Sequence, residues 1–306
     1  MAHDHSHGHQ HSTEGMSDSR LLWAIVANVL LTVAQIVGGV ISNSLALIAD
    51  ALHNLNDAAS LVLALVARRI GRRPPDKMRT FGYRKAPVVG ALINLTTLII
   101  VGLYLIYEAI MRFFKQPDVG GWIIVIVAGI ALLVDIATAL LTYAGSKESM
   151  NIKAAFIHNF SDALASVGVI VAGTLIILFE WYWTDLVVTL AISAYILYQG
   201  TTMIGGAIRV LMDSAPKDFD LARMVEDVMA INRVRDIHHV HVWHLDEERV
   251  ALEAHVLVDT DATMPQVEEV KKQIKAVLRE HYHIDHATLE FEASEADEHD
   301  TRLLVG

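Results

Sequence analysis

Apolar residues run in six long stretches through the first two thirds of the chain, at about 21–42, 45–67, 86–111, 121–144, 154–180 and 184–208. Each meets or nearly meets the roughly 20 residues that a helix needs to cross a bilayer core. Six membrane-spanning helices are predicted, and an even number returns the chain to the side it left. From residue 209 the pattern becomes that of a water-soluble fold. "DFDLARMVEDVMA" reads as a capped amphipathic helix. "VRDIHHVHVWHL" and "RVALEAHVLV" alternate like strands joined by the acidic turn "DEE". "MPQVEEVKKQIKAVLREHY" gives a second amphipathic helix with Pro265 near its first turn, and "HATLEFE" a last strand. The order αββαβ predicts a small ferredoxin-like α+β domain. The expected organisation is a His-rich segment over 1–20, a six-helix membrane domain over 21–208, the soluble domain over 209–292 and an acidic tail over 293–306.

Composition agrees with this division. Of the 306 residues, 53% are apolar, too many for an ordinary soluble protein of this length. Residues 1–208 hold 13 acidic and 13 basic side chains, whereas 209–306 hold 22 and 11, so the net charge of −11 lies entirely in the last third. Such a domain repels nucleic acid and concentrates cations. The stretch 68–85 carries Arg68, Arg69, Arg72, Arg73, Lys77, Arg79, Arg84 and Lys85 against Asp76 alone. Basic residues in short loops stay in the cytoplasm, which puts this loop inside and both termini with it. Arg112 and Lys115, between the third and fourth spans, are a mild exception. "MAHDHSHGHQHSTEGMSDSR" has no apolar core, so a cleaved signal peptide is not expected and the chain opens in water. The short loops suggest a bacterial inner membrane, with lipid as the surrounding partner.

With no cysteine, disulfides, thiolate metal sites and cysteine nucleophiles are excluded, and metal chemistry falls to 16 histidines and the carboxylates. Two segments stand out inside apolar spans: "DALHNLND" at 50–57 and "IHNFSDAL" at 157–164. Residues i and i+4 share a helix face, so His53 projects with Asp57 and His158 with Asp162. An Asp at the bilayer centre costs about 2.5–3.5 kcal/mol on insertion scales, and two of them need a compensating partner. Two imidazoles with two carboxylates suit a tetrahedral borderline ion such as zinc, whereas calcium or magnesium would want mostly oxygen. The competing reading is a polar network in which the four groups satisfy one another between helices. Asp50 lies one turn before His53 and is either part of this chemistry or structural. "HDHSHGHQH", with His3, His5, His7, His9 and His11, has the composition of a loose metal-capturing tract for zinc or nickel.

At these residues the chain resembles the cation diffusion facilitator family, in its zinc-exporting branch. The matching elements are "SLALIADALHNLND", "RTFGYRKAP", "NIKAAFIHNFSDALASVGVI" and "VRDIHHVHVW", and the resemblance covers 20–292. It implies a homodimer of six-helix protomers with cytoplasmic ferredoxin-like domains, which exports divalent metal in exchange for protons and is not an enzyme. Its transport ligands fall on His53, Asp57, His158 and Asp162, a set that goes with zinc; Cd2+, Co2+ or Ni2+ are alternative substrates. Asp135 stands where the family more usually has Asn, and is either a proton-relay group or a hydrogen-bonded carboxyl between helices. The family's cytoplasmic zinc position falls on His238, His255 and Glu292, with His286 as an extra ligand. Strand alternation sets His238 on one face with Val240, Val242 and His244, and His239, His241 and Trp243 opposite. Lys85 and Asp213 match a charge interlock between protomers. In the loop 68–85 only Asp76 remains of a metal site found in some relatives, and no site is expected there.

Two other classes compete. An intramembrane metallohydrolase would need an open zinc position, and the chain has no H-E-x-x-H motif. A metal sensor or store would bind zinc without moving it.

Overall fold

The computed structural model describes residues 18–115, 118–143 and 150–293. Six long helices come first: α1 (Asp18–Ser42), α2 (Leu45–Gly71), α3 (Ala86–Phe113), α4 (Gly121–Tyr143), α5 (Met150–Phe179) and α6 (Trp183–Leu211). Then follow α7 (Leu221–Met229), β1 (Val234–His244), β2 (Val250–Val258), α8 (Met264–Tyr282) and β3 (Ile284–Glu292). The protein is a helical membrane protein with a small mixed-sheet domain at its C-terminal end. Among the described residues, four helical segments are long and apolar enough to cross a bilayer: Ala86–Phe113, Gly121–Leu140, Phe156–Phe179 and Trp183–Leu211. In α2 the apolar run is interrupted by Asp50, His53, Asn54, Asn56 and Asp57, the residues that carry the chemistry.

The chain divides into two compact units, residues 1–63 with 93–203, and residues 64–92 with 204–306. In the first, the core gathers Leu47 of α2, Leu98 and Leu105 of α3, Ile124 and Ala128 of α4, Val169 and Ile176 of α5, and Ile192 and Ile196 of α6. Helices α4 and α5 pack most closely. Gly173 permits this, because a Cβ there would stand 2.9 Å from Cγ2 of Ile124. The turn between α1 and α2 uses Asn43 in the left-handed conformation, which Asn tolerates better than most residues. The first amides of α2 have no partner in their own helix. Asp185, from the first turn of α6, accepts from Ser44 Oγ and from the Leu45 amide at 2.8 Å, and so caps α2 across the fold.

In the second unit the sheet order is β1-β2-β3, with β1 antiparallel and β3 parallel to β2. The parallel pair needs a crossover, and α8 supplies it. Apolar residues of the sheet, Ile237, Val240, Leu252, Ala254 and Val256, bury against Met224 and Val228 of α7 and Val270, Ile274 and Leu278 of α8. Helix α7 starts at Asp220, whose carboxylate accepts from the Arg223 amide, and α8 at Thr263, whose amide donates to Gln266 Oε1.

Strand β1 departs from simple alternation. His238 pairs with His255 and His241 with Glu253, so His239 and Val240 together oppose one residue of β2. This is a β-bulge, and His239 sits in it with a φ of 48°. Ile237 and Val240 both reach the core, three residues apart, and His238 is not on the face of Val240 as alternation implies.

Candidate metal centres

The intramembrane histidines and aspartates meet. Helix α2 presents His53 and Asp57 one turn apart, and α5 presents His158 and Asp162 in the same way. Nε2 of His53 lies 3.7 Å from Asp57 Oδ2 and 3.4 Å from Asp162 Oδ1. Nε2 of His158 lies 3.3 Å from Asp57 Oδ2 and 3.5 Å from Asp162 Oδ2. Imidazole and carboxylate thus alternate around a ring. His53 and Asp162 are buried, and Asp57, with 31% of its side chain exposed, marks the open edge. Both nitrogens of His53 and Oδ1 of Asp162 are buried and accept or donate no well-formed hydrogen bond among the described residues. His53, His158 and Asp162 each offer a ligand atom within 4.8 Å of the others', and Asp57 lies against both imidazoles. Two neutral imidazoles and two carboxylates carry −2, the charge that a divalent cation balances.

The shell around this ring was only partly foreseen. Asp50 is buried and accepts from Gln35 Nε2 at 2.6 Å, while Gln35 Oε1 accepts from Asn54 Nδ2 at 3.1 Å. This chain braces α2 against α1 at the turn that carries His53. Asp135 of α4 is buried and accepts from Ser166 Oγ at 3.0 Å, one turn beyond Asp162, and it interacts electrostatically with Asp162 and His158. Tyr195 of α6 packs its ring edge-on to His53, centroids 6.2 Å apart, and its hydroxyl accepts from Gln199 Nε2. A lone Tyr on an apolar helix carries no signal by which it could have been selected.

A second group forms in the sheet domain. His238, His255 and Glu292 each offer a ligand atom within 4.8 Å of the others'. Nε2 of His238 lies 3.4 Å from Glu292 Oε2, and Nδ1 of His255 lies 2.7 Å from Glu292 Oε1. The other nitrogen of each ring also faces a carboxylate, Asp236 at 3.4 Å from His238 and Glu290 at 3.6 Å from His255. Such outer carboxylates orient imidazole ligands. Two imidazoles and a carboxylate with their ligand atoms this close are a donor set that fits a nitrogen-preferring divalent ion.

Other sequence-selected residues lie elsewhere. His286 is not brought to this group; it pairs with Ala251 and packs its ring on Phe81. Six residues of strand separate it from Glu292, about 20 Å at the usual rise. Lys85 and Asp213 are close, yet they pair within one chain, with the Asp213 side chain 62% exposed. Lys85 stands just before α3 and Asp213 just after α6, so the ends of these two helices are joined by the pair. Asp76 organises its own turn. It accepts from the Tyr83 hydroxyl and from the Met78 and Arg79 amides, and these bonds hold its carboxyl below the usual range. His3, His5, His7, His9 and His11 and the tail from 294 onward lie outside the described residues.

Ligand sets of histidine and carboxylate on apolar helices, followed by a sheet domain with a second such set, define an integral membrane protein built to handle divalent cations. The chain belongs to the cation efflux family. Residues 21–212 match the cation efflux transmembrane domain and 216–294 the cytoplasmic domain of cation efflux proteins. It is 36% identical to the zinc transporter ZitB of Pectobacterium atrosepticum, over 97% of this chain and 91% of that protein. It is 34% identical to the metal cation efflux system protein CzcD of Cupriavidus metallidurans, over 96% and 92%. A cadmium, cobalt and zinc/H(+)-K(+) antiporter of Bacillus subtilis is 33% identical over 97% and 95%.

Proposed function

We propose that this protein is a homodimeric Zn2+/H+ antiporter that exports zinc from the cytoplasm, with His53, Asp57, His158 and Asp162 as the transport ligands. The observation that carries the reading is the ring of alternating imidazoles and carboxylates between α2 and α5. A histidine must lose its proton before it binds zinc, and its ordinary pKa is near 6.5. Metal and protons therefore compete for one set of atoms. If one conformation opens the ring inward and another outward, zinc leaves as protons enter, with the proton gradient as the driving force. Asp135, hydrogen-bonded to Ser166 beside Asp162, supplies a further carboxylate for passing protons. The relatives' names, which include zinc, cadmium and cobalt, support a substrate class of borderline divalent ions; nickel fits by the same ligand chemistry.

The basic loop at 68–85 supports an inner-membrane orientation with both termini in the cytoplasm. There the sheet domain's set at His238, His255 and Glu292 would hold a regulatory zinc that stiffens the domain. The N-terminal histidines would capture metal loosely and be dispensable for flux. The test is cellular: expression in a zinc-sensitive bacterium lowers cell-associated zinc and raises the tolerated concentration, and Asp57→Ala abolishes both effects. Zinc that is retained rather than lost on expression would move the protein to the store or sensor class.

A further inference from the structure

We propose that His239 is a ligand of the cytoplasmic site, so that one chain closes a set of three imidazoles and one carboxylate around a zinc-sized divalent cation. This rests on reading His238, His255 and Glu292 as a metal site. Neighbouring residues of a regular strand point to opposite faces, so two consecutive histidines should not meet one partner. Here they do. The bulge inserts His239 opposite no residue of its own, and the rings of both His238 and His239 converge on His255, centroids 5.5 Å and 4.9 Å away. The rings of His238 and His239 are themselves 5.2 Å apart. The backbone bears a cost for this, since His239 holds a left-handed φ of 48° that side-chain-bearing residues seldom adopt. Strain of this kind persists where the surrounding structure imposes it and clusters at ligand-holding sites.

The atom in question has no other use. Nε2 of His239 is buried and without a hydrogen-bond partner among the described residues. A histidine serving only as packing would satisfy that nitrogen. Three protein ligands leave a tetrahedral ion one open position, as in sites that pass their ion or activate water; a fourth closes the shell, as in structural sites. A His3Glu set is nitrogen-rich and therefore selects zinc or cobalt over calcium or magnesium. The ion held there would be resident in each protomer and would need no ligand from the second copy.

The test uses the full chain with His3, His5, His7, His9, His11, His53 and His158 changed to Ala and Asp57 and Asp162 to Asn, which removes the other proposed ligands. In this background His239→Asn is compared with the parent and with His255→Ala, because Asn is at ease in the left-handed conformation. Zinc affinity is read by chelator competition, and the ligand shell by the visible absorption of bound Co2+. The expected result is at least a tenfold loss of zinc affinity for His239→Asn, with a weakened and shifted Co2+ band, and loss of binding for His255→Ala. Unchanged affinity and spectrum for His239→Asn, beside loss for His255→Ala, would overturn the assignment of His239 alone. If neither variant changes binding, the site itself is absent and the assignment falls with it. Should His239→Asn melt below the parent without metal, His239→Gly provides the same comparison with no side chain to strain.

Discussion

Replacing Asp162 by Asn separates the charge of the proposed transport site from its shape. The substitution keeps volume and one oxygen donor, and removes one of the two negative charges of the proposed ligand ring. Asp162 spans both imidazoles, Oδ1 at 3.4 Å from His53 and Oδ2 at 3.5 Å from His158, with a side chain only 10% exposed. Asp57 reaches both rings through the single oxygen Oδ2 and is 31% exposed, so water screens it more. Removing one member of a buried charged group costs about 3–5 kcal/mol. For Asp162→Asn this corresponds to a loss of about two to three and a half decades in zinc affinity. A partly screened charged contact is worth about 1.5–3 kcal/mol, which sets Asp57→Asn at roughly one to two decades. The assay is zinc competition on detergent-solubilised protein carrying His238→Ala and His255→Ala, with His3, His5, His7, His9 and His11 also changed to Ala, so that only the membrane site is read. Affinity should fall in the order wild type, Asp57→Asn, Asp162→Asn. An Asp162→Asn variant within threefold of wild type, or one that binds better than Asp57→Asn, would refute the assignment of Asp162 as the more buried ligand.

Three further outcomes test the frame that holds the site. Gly173→Ala puts a methyl 2.9 Å from Ile124 Cγ2 and 3.0 Å from Val125 Cγ2, so α4 and α5 must part; overpacking of this order costs about 1–3 kcal/mol and should lower the thermal midpoint in detergent. Asp185→Ala leaves the Leu45 and Ala46 amides and Ser44 Oγ without their acceptor, and should destabilise by about 1–3 kcal/mol while Asp185→Asn, which retains an acceptor oxygen, loses less. In the sheet domain, burial and the hydrogen bond it donates to Asp227 at 2.6 Å push the Tyr282 phenol up to about 12. Because this lies above the ordinary value near 10, the bond contributes fully below pH 10 and is lost as pH rises through 12. Tyr282→Phe should therefore lower stability by about 1 kcal/mol at neutral pH, with the gap closing above pH 10 in denaturant titrations.

The candidate site on α2 and α5 was legible because helical periodicity is local: an H-x3-D spacing puts both groups on one face whatever the tertiary fold does. That the two faces meet depends on α2 and α5 being brought together, which the residues suggested only through the cost of leaving such groups in lipid. The brace from Asp50 through Gln35 to Asn54 could not be read, because Gln35 is an unremarkable polar residue until α1 lies against α2. In the sheet domain, strict alternation misplaced His238. The signal of the bulge was nevertheless present, since Ile237 and Val240 are an odd number apart, and two core residues of one strand can be so only if a residue is inserted between them. His286 shows the converse limit, for alternation assigns a face but not a distance along the strand.

The most direct test of the account is zinc flux into proteoliposomes under an imposed pH gradient, measured in both gradient directions for wild type, Asp57→Asn and Asp162→Asn. Zinc should move opposite to the protons, reverse when the gradient is reversed, and stop in both variants. Flux indifferent to the gradient, or retained in both variants, would contradict the claim that protons and zinc exchange on the ring formed by His53, Asp57, His158 and Asp162.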